Sequence, residues 1–175
     1  MDAQTPQSPP ELFHELILPN GFFPNNPRFP LLVYRQTFVI ANQSVHAIQK
    51  VLQRNHWGQS WVGSIYDYHH YHSTTHEVLV MIEGAGTVQF GGDEGTIYEV
   101  SQRDVVIIPA GVAHKSVHLS PGFKCIGAYP GNIDSDMKYG MAEEHPQVDE
   151  QIKRVRLPPS DPVFGESGLL FNYWK

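Results

Sequence analysis

The sequence predicts an all-β fold, a sandwich or barrel of short strands, with one α-helix on its outside. From residue 61 onward, short runs rich in β-branched and aromatic residues follow one another closely. The 14 prolines and 15 glycines suit a chain with many turns between short strands. Helical periodicity is confined to residues 42–56, so the sequence predicts a single helix, near the N-terminus.

Each element has its own signal. The candidate strands lie at residues 31–34, 61–71, 77–82, 87–90, 96–100, 105–108, 114–119 and 123–128. Glycine-rich turns separate them at residues 84–86 and 91–95. In the helix, Val45, Ile48 and Leu52 form one apolar stripe, and Gly58 ends it.

The length of 175 residues predicts one domain. Residues 1–10 are polar and proline-rich and are expected to be disordered, which leaves residues 11–175 as the folded unit, with its barrel at about 60–130. Residues 131–148 look like a polar loop, and residues 154–157 suit an edge strand. The apolar tail at 164–174 must pack on the body or on another subunit, which favours a homodimer.

Composition excludes several classes of function. The net charge of −6, without a cluster of lysines or arginines, argues against nucleic-acid binding. No apolar run is long enough to cross a membrane, and the N-terminus lacks the pattern of a signal peptide. Cys125 is the only cysteine, so a reducing cytoplasm is the expected compartment, and its apolar surroundings favour a buried role.

The side chains best suited to bind a metal ion are concentrated in residues 68–84, which read YHHYHSTTHEVLVMIEG. His70 and His72 are two apart, so in an extended strand their side chains point to the same face. The polar residues 73–75 can turn the chain and bring Glu77, at the start of the next strand, back opposite them. Two imidazoles and a carboxylate that converge form half of a metal site.

A second stretch completes a known pattern. A strand at 105–108 is followed by Pro109, Gly111 and His114. Together with His70, His72, Glu77 and Gly84, these residues resemble the two signature motifs of the cupin superfamily. The resemblance implies a double-stranded β-helix, a jelly-roll-like barrel, in which His70, His72, Glu77 and His114 bind one metal ion.

The match has departures at three positions. Gly63 lies one residue too far upstream, Arg103 replaces the glycine that opens the second motif, and His118 replaces its closing asparagine. None of these changes removes a ligand. Arg103 is expected to alter the turn, because glycine tolerates a positive φ and arginine does not readily. The run from Gly63 to Pro130 and its flanks resemble the YjlB-like branch of cupins, for which no reaction is established.

Two further histidines are predicted not to be ligands. His69 is out of phase with His70 and His72, and His76 is out of phase with Glu77, so alternation puts both on the opposite face. The His76-Glu77 pair superficially resembles a zinc metalloprotease motif, but position 80 is valine where that helical motif requires a second histidine.

Strand parity also suggests pocket residues. Tyr66 and Tyr68 share the parity of the ligand histidines, and Met81 shares that of Glu77, although filling of the core explains them as well. His118 is in phase with His114 if the strand is regular. It then either lines the pocket or forms a hydrogen bond that orients one of the metal ligands. The alternative is an ordinary structural role in the wall of the barrel.

Three functions remain open. A metal-dependent cupin enzyme acting on a small molecule comes first, with dioxygenase and isomerase chemistry both implied by the resemblance. A non-catalytic cupin that binds or senses a small molecule is the second, and an assembly module with an incidental metal is the third. Imidazole and carboxylate ligands accept Fe, Mn, Ni or Zn, so the sequence names one divalent ion per chain and not its identity.

Overall fold

The structure is a computed structural model that describes residues 10–131 and 133–175, so nearly all of the predicted disordered segment lies outside the described residues. The described residues form nine strands and three helices. The strands are β1 (Glu11–Glu15), β2 (Leu31–Arg35), β3 (Trp57–Gly63), β4 (Glu77–Glu83), β5 (Ala85–Phe90), β6 (Thr96–Ser101), β7 (Val105–Ile108), β8 (His114–Leu119) and β9 (Lys124–Pro130). The helices are α1 (Val45–Arg54), α2 (Gln147–Arg154) and α3 (Leu170–Tyr173).

The strands form two antiparallel sheets, which confirms the predicted all-β class. The large sheet has the order β1-β2-β7-β4-β9-β3, and the small sheet has the order β6-β5-β8. One apolar core lies between the two sheets, and it includes Leu79, Val88 and Val106. A second core covers the other face of the large sheet, where Leu52 of α1 and Trp174 of the tail pack.

The central strands of the large sheet, β2, β7, β4 and β9, are therefore buried on both faces. In β2, Leu31 and Val33 belong to the inner core, while Leu32 and Tyr34 belong to the outer one. Strands covered on both sides have no polar face, and for this reason they read as continuous apolar runs in the sequence.

The helices differ from the prediction. α1 is the predicted helix, shortened to ten residues and capped by Ser44, whose hydroxyl accepts a hydrogen bond from the Ala47 N–H. α2 and α3 were not predicted. α2 overlaps only the last two residues of the loop expected at 131–148 and the first residue of the edge strand expected at 154–157, and no strand forms at 154–157. α2 buries only Val148 and Ile152, a stripe too short to stand out in the sequence. In the described parts of the chain, no helix is both long and apolar enough to span a membrane.

The C-terminal tail packs on its own barrel. Leu170 and Trp174 are buried in the outer core, and the Trp174 indole N–H donates a 2.8 Å hydrogen bond to the Pro30 carbonyl. The tail therefore needs no second subunit to cover it, so the reason given for a homodimer from the tail does not hold.

Arg103 occupies the position where the family motif has glycine. Its φ is +77°, in the left-handed region that glycine favours. Its backbone is held on both sides: its N–H donates to the Met81 carbonyl at 2.8 Å, and its carbonyl accepts from Thr37 N–H at 2.9 Å. Next to it, the buried Asp104 carboxylate accepts a hydrogen bond from Ser101 N–H at 2.9 Å. These bonds hold Arg103 in the left-handed region at the expense of backbone strain.

Replacing Arg103→Gly is expected to raise the free energy of unfolding by about 0.5–1 kcal/mol, because relief of the left-handed strain exceeds the added entropy of the unfolded chain. Urea unfolding measures this change. The matched control is Gln102→Gly at the neighbouring position, which has no positive φ and should lose a similar amount. Loss of stability in both variants would contradict the strain at Arg103.

Candidate metal centre

The segment that carries His70 and His72 is less regular than predicted. β3 ends at Gly63, and the chain then runs beside β8 and extends the small sheet. His70 and His114 exchange two backbone hydrogen bonds, of 3.2 and 2.9 Å, and Gly111 N–H donates to the His72 carbonyl at 2.8 Å. This pairing places His70 and His72 beside His114 without a regular strand.

The four predicted ligands converge. The ring nitrogens of His70, His72 and His114 lie within 4.8 Å of one another, and all three side chains are buried. Glu77 Oε2 lies 3.3 Å from the Nε2 atoms of both His72 and His114. Ligand atoms at about 2.1 Å from a shared ion stand about 3–4 Å apart, so the arrangement suits a single divalent ion after a small contraction.

The Nδ1 atoms of the three imidazoles, which face away from the centre, form contacts that fix the orientation of each ring. Nδ1 of His70 lies 3.2 Å from the Tyr68 carbonyl, and Nδ1 of His114 lies 3.1 Å from the Val112 carbonyl. Nδ1 of His72 bonds the carbonyl of Asp136. An Nδ1–H that donates to a carbonyl leaves Nε2 unprotonated and directed at the centre, which is the form that coordinates a metal.

Asp136 also holds the turn that brings Glu77 back. Its Oδ1 accepts hydrogen bonds from the N–H groups of Ser73 and Thr74, at 2.7 and 3.2 Å, and its Oδ2 accepts from the Ser73 hydroxyl at 2.5 Å. These bonds lower the pKa of the Asp136 carboxyl although burial opposes them. Asp136 therefore orients the predicted ligand His72 and also shapes the turn that separates His72 from Glu77.

The charges at the centre depend on one another. Burial by itself would raise the pKa of Glu77, but His72 and His114 reverse the effect and lower it. Burial disfavours the charged form of His72, yet the Glu77 carboxylate outweighs it and raises the pKa of that imidazole. Burial and the neighbouring His114 lower the pKa of His70 to about 3. The centre thus keeps the Glu77 carboxylate charged and the His70 imidazole neutral.

One atom of the centre lacks a partner. Glu77 Oε2 is buried and, among the described residues, accepts no hydrogen bond of good geometry. A buried carboxylate oxygen without a donor is costly, and a cation bound between it and the imidazoles removes the cost. The donor set and this orphaned oxygen both fit a divalent metal ion.

A cavity of about 530 Å³ opens beside the four side chains. Its wall is mostly apolar and aromatic, with contributions from both sheets and from the loop after β9. The lining residues are Trp61, Val62, Gly63, Ser64, Ile65, Tyr66, His70, His72, Glu77, Leu79, His114, Tyr129 and Met137. The volume is that of a typical small-molecule site.

The four suggested pocket residues separate. Tyr66 lines the cavity, and Tyr68 stacks on it with ring centroids 4.9 Å apart without lining it. Met81 lies farther along β4 than Glu77, by four residues or about 13 Å, inside the core between the sheets. His118 is exposed because β8 has a bulge after Ser116, which reverses the alternation. The pocket role suggested for Met81 and His118 is therefore corrected.

His69 and His76 lie away from the centre. His69 packs on the Phe23 ring at 5.2 Å, with its Nε2 3.5 Å from Asp93 Oδ1. His76 is fully buried in the outer layer, where its Nδ1 accepts from the Ala110 N–H at 2.9 Å. Burial lowers the pKa of His76 to about 4, so the imidazole is neutral and serves as a structural link.

Sequence patterns missed Trp61, Tyr129, Asp136 and Met137. Trp61 and Tyr129 come from β3 and β9, and a 3.0 Å hydrogen bond from the Trp61 indole N–H to the Tyr129 hydroxyl joins them. Asp136 and Met137 belong to a stretch that the sequence presents as a plain polar loop. No local spacing marks these positions, because only the pairing of distant strands brings them to the cavity.

The loop that supplies Met137 is anchored by Glu144. Its carboxylate accepts a 2.7 Å hydrogen bond from the hydroxyl of Tyr71, which lies between two of the ligand histidines. The same carboxylate accepts from three consecutive backbone N–H groups, those of Tyr139, Gly140 and Met141. Burial opposes the charge, but these donors outweigh it and lower the pKa of Glu144.

Comparison with known proteins agrees with the motifs. The family model described as "Cupin domain" matches residues 61–125. The uncharacterized protein YjlB of Bacillus subtilis (strain 168) is 41% identical over 155 residues, which cover 89% of this chain and 92% of YjlB.

Several solved structures share part of the fold. One is the acireductone dioxygenase of Bacillus anthracis with a cadmium ion in its active centre, with a TM-score of 0.39, 19% identity, and coverage of 54% of this chain and 63% of the enzyme. Another is a mutant of the 3,4-ketoisomerase QdtA of Thermoanaerobacterium thermosaccharolyticum in complex with TDP-4-keto-6-deoxyglucose, with a TM-score of 0.42, 17% identity, and coverage of 56% and 75%. Because these matches cover only about half of this chain at low identity, they support a shared fold and nothing further.

Anchoring by Glu144 predicts a pH-dependent contribution to stability. Glu144→Gln is expected to lower the free energy of unfolding by about 1–2 kcal/mol at pH 7, because several hydrogen bonds to a carboxylate are weakened. The folded-state pKa lies below the ordinary value of 4.5, so this contribution is present above pH 4.5 and disappears as the pH falls through the folded-state pKa. Urea unfolding at pH 7, 5 and 3.5 measures it. Glu143→Gln, at the exposed neighbour, is the control, and equal losses in both variants would contradict the anchoring.

Proposed function

Because this chain belongs to the cupin superfamily, and within it to the YjlB-like proteins, we propose that it binds one divalent metal ion through His70, His72, Glu77 and His114 and acts on a small molecule there. The observation that carries the proposal is the open cavity of about 530 Å³ beside the four side chains. A purely structural metal needs no such cavity, since structural sites are closed by protein ligands.

The donor set narrows the metal without naming it. Three imidazoles and one carboxylate accept Fe(II), Mn(II), Ni(II) or Zn(II) and leave one or two positions of a six-coordinate ion for a ligand. When bound, such an ion supplies Lewis acidity, or redox chemistry in the case of Fe, Mn or Ni, which suits isomerase or dioxygenase activity.

The protein's own residues have separate tasks at this centre. Burial and the nearby Glu77 raise the pKa of Tyr129 to about 12, so its hydroxyl keeps its proton at neutral pH. That hydroxyl accepts from the Trp61 indole N–H, and its interaction with the Glu77 carboxylate contributes to the raised pKa, so its proton lies beside the proposed metal ligands. Ile65 and Leu79 exclude water from the floor of the cavity. Tyr129 is therefore the side chain best placed to hold or transfer a proton at a bound molecule.

A non-catalytic binding or sensing cupin is the second candidate. Apart from the four ligands, the described residues of the cavity wall with side-chain hydroxyls are Ser64, Tyr66 and Tyr129, so few groups there can move a proton. This scarcity is expected of a protein that recognises a small molecule without converting it.

The proposed centre predicts about one divalent ion per chain in protein purified without a histidine tag or chelators. His72→Ala should lose the ion, because among the described residues the cluster of possible metal ligands then keeps only His70, His114 and the adjacent Glu77. Elemental analysis by mass spectrometry measures the occupancy. The matched control is His118→Ala, which removes an exposed histidine of the same barrel and should keep the metal. Full occupancy in His72→Ala would refute the assignment of the ligands.

One experiment distinguishes an enzyme from a protein that binds a small molecule without converting it. The apo-protein is loaded in turn with Fe(II), Mn(II), Ni(II) or Zn(II) and exposed to chelating acids and diols, with O₂ uptake and product mass recorded. Turnover with only the redox-active metals supports a dioxygenase, because Zn(II) has no accessible redox step. Turnover with Zn(II) as well supports an isomerase. Binding without any product under every metal supports the sensing function.

A homodimer remains part of the proposal, now through the edge of the large sheet. Among the described residues, β1 is one of the two edge strands of the large sheet, and the exposed apolar side chains Phe13, Leu16 and Leu18 lie on it or shortly after it. An unpaired edge with apolar side chains is a surface that a second copy can cover. Light scattering at micromolar concentration is expected to give about twice the 19.8 kDa of one chain. A mass near 20 kDa would contradict it.

A further inference from the structure

The charge of the cavity is low and confined to one end. Among the described residues of its wall, the carboxylate and imidazole side chains are Glu77 and the three predicted ligand histidines, and neither lysine nor arginine is present. No lining residue belongs to a helix, so no helix N-terminus is available there either. Phosphate groups are bound by arginine, lysine or helix N-termini. Apart from a bound metal ion, the described wall therefore offers no group that neutralises the charge of a phosphate.

The charge expected of the small molecule in the cavity follows from the charges of the ion and of the side chains that would hold it. A divalent ion held by neutral imidazoles and the Glu77 carboxylate carries a net charge of +1. Because burial of an uncompensated charge is costly, a ligand with one negative charge on its chelating oxygens balances the centre.

The side walls of the cavity present rigid aromatic faces. The Trp61 ring lies against the backbone of β9, where a Cβ at Gly127 would stand 2.2 Å from its atoms, and its indole N–H is tied to Tyr129. Tyr66 stacks on Tyr68 with an interplanar angle of 16° and meets His70 edge-on at 5.3 Å. Tyr66 is still 50% exposed, so much of its ring remains available to a ligand near the metal ligands.

The rest of the wall distinguishes an aromatic ligand from a sugar. Val62, Ile65, Leu79 and Met137 are apolar, and few hydroxyl groups interrupt them. A sugar ring carries several hydroxyl groups, and each one that is buried without a partner costs free energy. An aromatic ring has no such groups and gains from offset or edge-to-face contact with neighbouring rings.

We infer that the ligand of this cavity is a small aromatic compound whose chelating oxygen pair carries a single negative charge, and that phosphate-bearing compounds are excluded. The inference rests on the proposed metal function, because the oxygen pair needs the ion between Glu77 and the histidines. An aromatic 2-hydroxy or 2-keto acid has these properties.

The test measures binding to the Zn(II)-loaded protein by isothermal titration calorimetry, so it requires no turnover. Mandelate, hexahydromandelate and lactate share one 2-hydroxy acid group and one charge, and they differ in carrying a phenyl ring, a cyclohexyl ring or a methyl group. Mandelate is expected to bind about tenfold more tightly than lactate and several-fold more tightly than hexahydromandelate, as one aromatic contact provides. TDP, the phosphate-bearing probe, is expected to bind no more tightly than lactate.

Variants of one tyrosine separate ring contact from general effects. Tyr66→Ala should weaken mandelate binding about fivefold and leave lactate binding unchanged, while Tyr66→Phe, which keeps the ring, should retain the preference. The matched control is Tyr139→Ala, because Tyr139 is also 50% exposed but does not line the cavity. Equal loss of mandelate binding in Tyr139→Ala would overturn the assignment of the aromatic wall.

Failure of this inference is distinguishable from failure of the metal site. Protein that retains one Zn(II) per chain but binds lactate as tightly as mandelate, or binds TDP more tightly than mandelate, overturns the inference alone. The same conclusion follows if metal-loaded protein binds none of the three acids. Protein that holds no Zn(II) refutes the proposed centre, and the ligand class is refuted with it.

Discussion

Glu77 carries a negative charge at a position that is only 2% exposed, and the surrounding structure is arranged to make that charge tolerable. A lone carboxylate in such a place would take up a proton or destabilise the fold. Here, imidazole nitrogens approach it to 3.3 Å, and backbone carbonyls bind the opposite side of each of the three rings. The polar groups of the centre are therefore hydrogen-bonded outward to backbone carbonyls of the segments between the strands.

The burial of the large sheet on both faces gives this centre a rigid support. Glu77 begins β4, which lies between β7 and β9 in the interior of that sheet, so its backbone is paired on both sides. The residue before it, His76, faces the outer layer and contacts Trp174 of the tail at 4.6 Å. Neighbouring residues thus connect the metal centre and the C-terminus to the same strand, and a disturbance of the tail acts on the sheet that carries Glu77.

The chemistry of the cavity depends on what its wall lacks as much as on the ligands. A barrel that holds a metal ion at one end and apolar or aromatic side chains elsewhere can orient a molecule by its chelating group and select it by its body. The same scaffold supports different reactions in different proteins, so the fold does not choose the chemistry. In this chain the wall beside the four predicted ligands is built by β3 and the segment after it, by β4, by β9 and by the loop after β9.

The sequence by itself determined the all-β class, the positions of most strands, α1 and the convergence of His70, His72, Glu77 and His114, because alternation and motif spacing are local properties of the chain. The strand expected at 61–71 was placed wrongly, since β3 ends at Gly63. Tertiary structure alone decided the remainder. The bulge after Ser116 turns His118 to solvent. Asp136 reaches the site from a loop, 59 residues after Glu77 in the chain. The tail covers its own sheet, which no periodicity within it reveals. Each of these depends on which distant segments pair, and pairing between distant segments leaves no regular spacing in the sequence.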